Sequence, residues 1–168
     1  MTPRRLALGA AVLLTAWLLQ GAVLSQLPLP GAAPDLLLVV IVGFALAEGP
    51  GSGALTGFVA GLLVDLGADH ELGRVALAYA LAGYVAGLVH DGPDRSRLLP
   101  LGVVAAAAAV AVTAFAAEGV LLSDPRTTVS AWATGLAATV AWCAVLAPLV
   151  VPVVGALVRR LDDDPLRR

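Results

Sequence analysis

Asp35, Glu48, Asp65 and Glu118 are acids within or at the ends of long apolar runs. His70, His90 and Cys143 complete the set of side chains that could carry chemistry beside them. Neighbouring carboxylates do general acid–base work, and a carboxylate with histidines can hold a metal. The spacing supports neither. His70 and His90 fall at opposite ends of the helices in the topology derived below, so they cannot share an ion. Neither has a Cys, His or Asp partner at ligand spacing on a common helix face. Asp69, His70 and Glu71 are consecutive on a short loop, which is a weak metal pattern. Cys143 is the one cysteine and sits in an apolar helical stretch, where it reads as core filling. No G-x-S-x-G, P-loop or H-E-x-x-H pattern occurs. Gly49-x-Gly51-x-Gly53 follows no strand, so it is not a dinucleotide loop. The expectation is a chain without catalytic residues, metal or cofactor.

The elements that hold these residues are apolar helices. Of 168 residues, 60% are hydrophobic and 13% charged, with a mean hydropathy of +0.93. Soluble domains average roughly 45–50% apolar and about 25% charged, so the composition belongs to the membrane class. A net charge of −2 and the lack of a basic patch interleaved with aromatics argue against a nucleic-acid partner. A membrane-crossing helix takes about 20 apolar residues. The runs fall at about 6–27, 35–47, 52–66, 72–89, 98–122 and 128–158, within one all-α membrane domain over 1–168. The second and third runs are short, and a tilted pair, partial spans or a re-entrant hairpin all fit them. Pro148 and Pro152 are expected to kink the sixth.

Arginine placement tests the count. With six spans, Arg4, Arg5, Arg95, Arg97, Arg159, Arg160, Arg167 and Arg168 share one side, against Arg74 and Arg126 on the other. That asymmetry puts both termini in the cytoplasm, and an odd number of spans would destroy it. Arg4-Arg5 before an apolar run has the look of a signal peptide. The run is longer than the usual ~7–15-residue core and lacks a clear small-x-small cleavage site, so the first helix is expected to stay. Arg159 and Arg160 are expected at anionic lipid headgroups, followed by a solvated cytoplasmic tail over 159–168.

The densest signal lies between Pro34 and Gly73. Gly53, Gly57, Gly61 and Asp65 recur every fourth residue, on one slowly drifting helix face. Small residues at this spacing let helix backbones approach closely in lipid, where apolarity alone gives helices little reason to associate. Ala76, Ala80, Gly83 and Gly87 on the fourth helix offer a matching surface. Packing within one subunit is the weightier reading, and an interface with another protein is the sharper one. Asp35, directly after Pro34, suits a helix N-terminus. Asp65 lies either at depth facing the bundle interior or at the membrane interface. Glu48 and Glu118 read as structural or interfacial.

Pro34-Asp35-Leu36-Leu37-Leu38, then Glu48-Gly49-Pro50-Gly51-Ser52-Gly53 and the core Gly57-Phe58-Val59-Ala60-Gly61-Leu62-Leu63-Val64-Asp65, resemble the signature region of the MreD family of rod shape-determining membrane proteins. Leu72-Gly73 and Ala78 to Tyr84 are similar to its continuation. The specific match covers about a third of the chain. The resemblance implies a non-enzymatic component of the cell-elongation complex in the bacterial inner membrane. The partners it implies are an MreC-like membrane protein, the actin-like MreB, a peptidoglycan glycosyltransferase and transpeptidase, and membrane lipids. The implied fold resembles the six-helix substrate-binding subunits of energy-coupling-factor transporters. Pro34, Asp35, Gly57, Phe58, Gly61 and Asp65 are the family-pattern positions, with Gly53, Gly73, Gly83 and Gly87 as further packing or partner-binding candidates. The competing function is a vitamin-like carrier subunit, which needs several convergent polar or aromatic groups. Trp17, Gln20, Gln26, Tyr79, Tyr84, Trp132 and Trp142 are scattered, which favours a scaffold.

Overall fold

A segment that is apolar on every side has no preferred outer face and belongs in the middle of a bundle. Leu36–Glu48 is such a segment. It forms α2, and every residue from Leu37 to Leu46 is buried. Around it stand α1 (Pro3–Ala22), α3 (Pro50–Asp65), α4 (Arg74–Gly87), α5 (Leu99–Leu121) and α6 (Val129–Asp162). A single 3₁₀ turn, Leu24–Gln26, follows α1. The structure is a computed structural model and describes residues 3–26, 34–68, 72–90 and 98–162. Asp69, His70, Glu71, Arg95, Arg97, Arg167 and Arg168 lie outside the described residues, so the expectations placed on them concern no described side chain.

All regular structure among the described residues is helical, and the six α-helices alternate in direction. Arg5 near the start of α1 meets Glu48 at the end of α2, while Gln20 near the end of α1 reaches Leu37 at the start of α2. Gly53 and Gly61 of α3 face Gly83 and Ala76 of α4, in reversed order. Arg74 at the head of α4 lies on Phe115 near the tail of α5, and Trp132 of α6 bonds Thr113 of α5. Asp35, Asp65, Arg74 and Asp124 therefore share one end of the bundle. Arg5, Glu48, His90 and the close of α6 share the other.

Three stretches are long and apolar enough to cross a membrane: Arg5–Gln26, Leu99–Leu121 and Val129–Arg160. α2, α3 and α4 have 13, 16 and 14 residues. At ~1.5 Å per residue those lengths reach only about 20–24 Å of a ~30 Å hydrocarbon core. The six segments expected from hydropathy are thus six helices, of which three have crossing length. The polar ends of the short helices are met by protein: Gln20 Oε1 accepts from Leu37 N at 3.0 Å, and Asp35 accepts from Leu38 N at 3.0 Å. This satisfies backbone donors where water is scarce. α6 continues through Pro148 and Pro152 without a break in helix.

Candidate functional site

The glycine period of α3 is spent on α4. A Cβ at Gly53 would overlap the Gly83 carbonyl, at Gly57 the Tyr79 carbonyl, and at Gly61 the backbone of Ala76. In return, a Cβ at Gly83 would strike Gly53, and one at Gly87 would strike Pro50. The two helices touch backbone to backbone along their length, as small-xxx-small faces allow. Nothing of another protein fits between them. Phe58 points elsewhere and is 45% exposed, beside exposed Leu55 and Val59 on the outer side of α3.

Asp65 closes one end of this seam. It is 2% exposed. One carboxylate oxygen accepts from Gly73 N at 2.9 Å and Ala76 N at 3.1 Å, and the other from Val75 N at 3.1 Å. A helix N-terminus leaves its first N–H groups without intrahelical acceptors, and an acid there also meets the positive end of the helix dipole. Gly73, the residue preceding α4, has φ +103°, a left-handed conformation that suits glycine and turns its N–H toward Asp65. Asp65 is therefore the cap of α4, supplied by the preceding helix rather than by the usual adjacent side chain.

Asp35 performs the same task locally and links three more helices. It caps α2 through Leu38 N, and Tyr79 of α4 donates to its Oδ2 at 2.5 Å. The Cys143 thiol of α6 lies 3.7 Å from its backbone carbonyl, and Gln20 of α1 bonds the next residue but one. Pro34, immediately before it, is buried. Cys143 itself is fully buried in the core.

Two charge pairs tie the remaining contacts. Arg5 Nε stands 2.7 Å from Glu48 Oε1, and Ser52 of α3 donates to Glu48 Oε2. The Arg5–Glu48 pair meets as charges without hydrogen-bond alignment at those two atoms. At the opposite end Arg74, 6% exposed, donates to Asp124 Oδ2 at 3.2 Å and to the Phe115 carbonyl at 3.5 Å. Its guanidinium carbon lies 4.3 Å from the Phe115 ring centre, a cation–π contact. A Cβ on Gly119 would strike Thr127 and crowd Arg74, so the absent side chain makes room for both. The backbone N–H of Arg126 and, after it, the Arg74 guanidinium hold the Asp124 carboxyl below the usual carboxylate range. Glu118 lies one turn along α5 from Phe115, close to Arg74. His90 rests against Gly49, whose φ of +91° makes the tight α2–α3 turn.

Of the residues singled out from sequence, Gly53, Gly57, Gly61, Asp65, Gly73 and Gly83 are brought into one continuous seam, with Gly87 at its far end and Asp35 joined to α4 through Tyr79. Pro34 adjoins Asp35, and Phe58 stands apart. Sequence reasoning missed Arg74, Asp124 and the bond from Tyr79 to Asp35. For the first two a signal existed: opposite charges flank helices at the same end of the topology. The partner of Tyr79 had none, because it is set by a helix distant in sequence.

A family model described as rod shape-determining protein MreD matches residues 5–161. No curated protein and no solved structure matches the chain.

Proposed function

The chain belongs to the MreD family, whose members take part in rod-shape determination, and from that premise we propose that it is a non-enzymatic scaffold of the cell-elongation complex. In this reading it binds an MreC-like protein and the peptidoglycan glycosyltransferase and transpeptidase, with an MreB-like filament on the cytoplasmic side. One observation carries it. Most of the acids that chemistry would use are spent on the fold: Asp35 and Asp65 cap helices, and Glu48 answers Arg5 as Asp124 answers Arg74, while Glu118 lies close to Arg74 with no other reactive group beside it among the described residues. What remains on offer is apolar surface, including Phe58 and Leu55 on α3 and Tyr84 on α4.

The alternation of the helices supports both termini on one side, and the eight-to-two arginine asymmetry makes that side the cytoplasm. Under this topology α2, α3 and α4 are short spans sheltered by the three long ones, in the manner of the six-helix transporter subunits whose fold the family resemblance implies. Purification from native membranes in mild detergent, with mass spectrometry of proteins and small molecules, tests the scaffold. Recovery of an MreC-like protein with cell-wall synthases supports it. Recovery of transporter ATPases or a stoichiometric vitamin instead refutes it.

A further inference from the structure

On one side of the bundle α1 and α6 flank a cleft of about 390 Å³, floored by Leu36 and Val40 of α2. Leu19 of α1 and Leu149 and Val153 of α6 line it and are exposed, so it opens sideways, toward lipid in the proposed topology. Its one polar lining residue, Thr15, spends its hydroxyl on Ala11 O at 2.7 Å. Within its walls the cleft therefore asks for hydrocarbon. The charge stands at its end. Leu149, Val153 and Leu157 recur every fourth residue and Arg160 follows three later, so all four share one face of α6. Helical side chains lean toward the N-terminus of their helix, which for Arg160 is back over Leu157 and the cleft. Arg160 is exposed and makes no hydrogen bond or ion pair among the described residues. Arg159 falls on another face, where its guanidinium lies 3.3 Å from the place a Cβ on Gly155 would take. Glu48, at the same end of the bundle, is answered by Arg5 and leaves Arg160 unneutralised.

Dimensions decide what fits. Leu149 to Leu157 is about 12 Å of helix, so 390 Å³ corresponds to a section of roughly 33 Å². A helix about 10 Å across needs roughly 80 Å², so a partner helix does not enter the cleft and a single hydrocarbon chain does. From Arg160 back to Leu149 is about 16 Å, against ~15 Å for half of a ~30 Å hydrocarbon core. A guest with its head at Arg160 and its tail along the cleft thus has the length of one leaflet. We propose that the cleft and Arg160 together bind one anionic phospholipid of the cytoplasmic leaflet. Its phosphate pairs with the Arg160 guanidinium, whose planar fork matches phosphate oxygens, and one acyl chain lies against Val40, Val153 and Leu157. Bound there, the chain joins α1 to α6 across α2. The choice of leaflet rests on the topology proposed above, while the pairing of arginine and cleft rests on the structure.

Phosphatidylglycerol and phosphatidylcholine with the same chains differ in net charge, which makes them the probes. The purified protein in mild detergent is titrated with each, and the population carrying one lipid is read by native mass spectrometry. Phosphatidylglycerol is expected to bind the more tightly. Arg160→Gln is expected to weaken it about five-fold, the effect of one arginine on a negative headgroup, and to change phosphatidylcholine by less than about two-fold. Arg159→Gln removes the same charge from another face and is expected to change either lipid by less than about two-fold. Val153→Trp fills the cleft and is expected to weaken both lipids, with Leu149→Trp in its place if that variant does not fold. Equal affinity for the two lipids or an Arg160→Gln variant that binds like the parent overturns the proposal. Equal losses in Arg159→Gln and Arg160→Gln, or binding unchanged with the cleft filled, overturn it as well. A detergent micelle has no sides, so these results are independent of which way the termini face and of which proteins co-purify.

Discussion

Asp65, the last residue of α3, holds the backbone N–H of Gly73 at 2.9 Å and so fastens the end of one helix to the beginning of the next. Val75 N and Ala76 N bind the same carboxylate. The glycine seam along α3 and α4 runs from this point, which makes the acid and the glycines parts of one device: the seam sets how close the helices lie, and Asp65 sets their register.

Removing the cap is expected to be severe. Hydrogen bonds to a charged acceptor contribute about 1.5–3 kcal/mol each, and buried donors left without one are costly. Asp65→Ala is therefore expected to destabilise the protein by at least about 2 kcal/mol by that measure, read as a lowered midpoint of unfolding in mixed detergent. Asp65→Asn keeps an acceptor oxygen for two of the three bonds and should fall between. A midpoint unchanged in the alanine variant would refute the capping role.

Glycines on and off the seam should respond with opposite signs. Gly57→Ala drives a methyl into the Tyr79 carbonyl and should cost about 1–3 kcal/mol, the range for overpacking. Gly135→Ala in α6 meets nothing within 4 Å and should be neutral or stabilising by up to about 1 kcal/mol, as for Gly→Ala in a helix interior. Thermal unfolding of the two variants side by side decides it, and equal losses would mean that close helix contact is not the reason for Gly57.

The Arg74–Asp124 link carries a pH dependence. Asp124 titrates lower when folded than an ordinary carboxyl does, first through Arg126 N and then through Arg74. A carboxyl with a depressed folded value binds protons more readily when unfolded, so stability rises with pH until the unfolded group is ionised. Its contribution is complete above the ordinary aspartate value of about 3.9 and is lost as pH falls through the lower folded value. Stability measured from pH 6 down to pH 2 should decline less steeply in Asp124→Asn than in the parent. Identical acid limbs in the two proteins would dismiss this link.

Phe58 is the position at which the proposed partner binding can be tested apart from folding. Its side chain is 45% exposed and lies off the seam. Phe58→Ala is expected to shift stability by less than about 0.5 kcal/mol, the usual range for surface positions, while lowering recovery of the MreC-like partner on affinity purification. Undiminished recovery would place the partner on another face of the bundle.

Much of the fold was legible along the chain because its causes are local. Apolar runs set where helices form, Pro34 and Gly49 set where they stop and turn, and the period of four in Gly53, Gly57 and Gly61 announced a face made for close approach. The arginine asymmetry is the argument for an even number of passes, which the proposed topology takes up. Which surface would meet that glycine face was open, since an α4 of this chain and a helix of another protein satisfy the same spacing.

Only the tertiary structure decided that α4 fills the seam, that Asp65 caps it, and that α2 sits at the centre with its ends sheltered. Tyr79 finds Asp35 across 44 residues and Arg74 finds Asp124 across 50. No short-range pattern encodes such pairings. They follow from how six helices of unequal length share one interior, where every polar group removed from water must find a partner and every backbone contact must be clear of side chains.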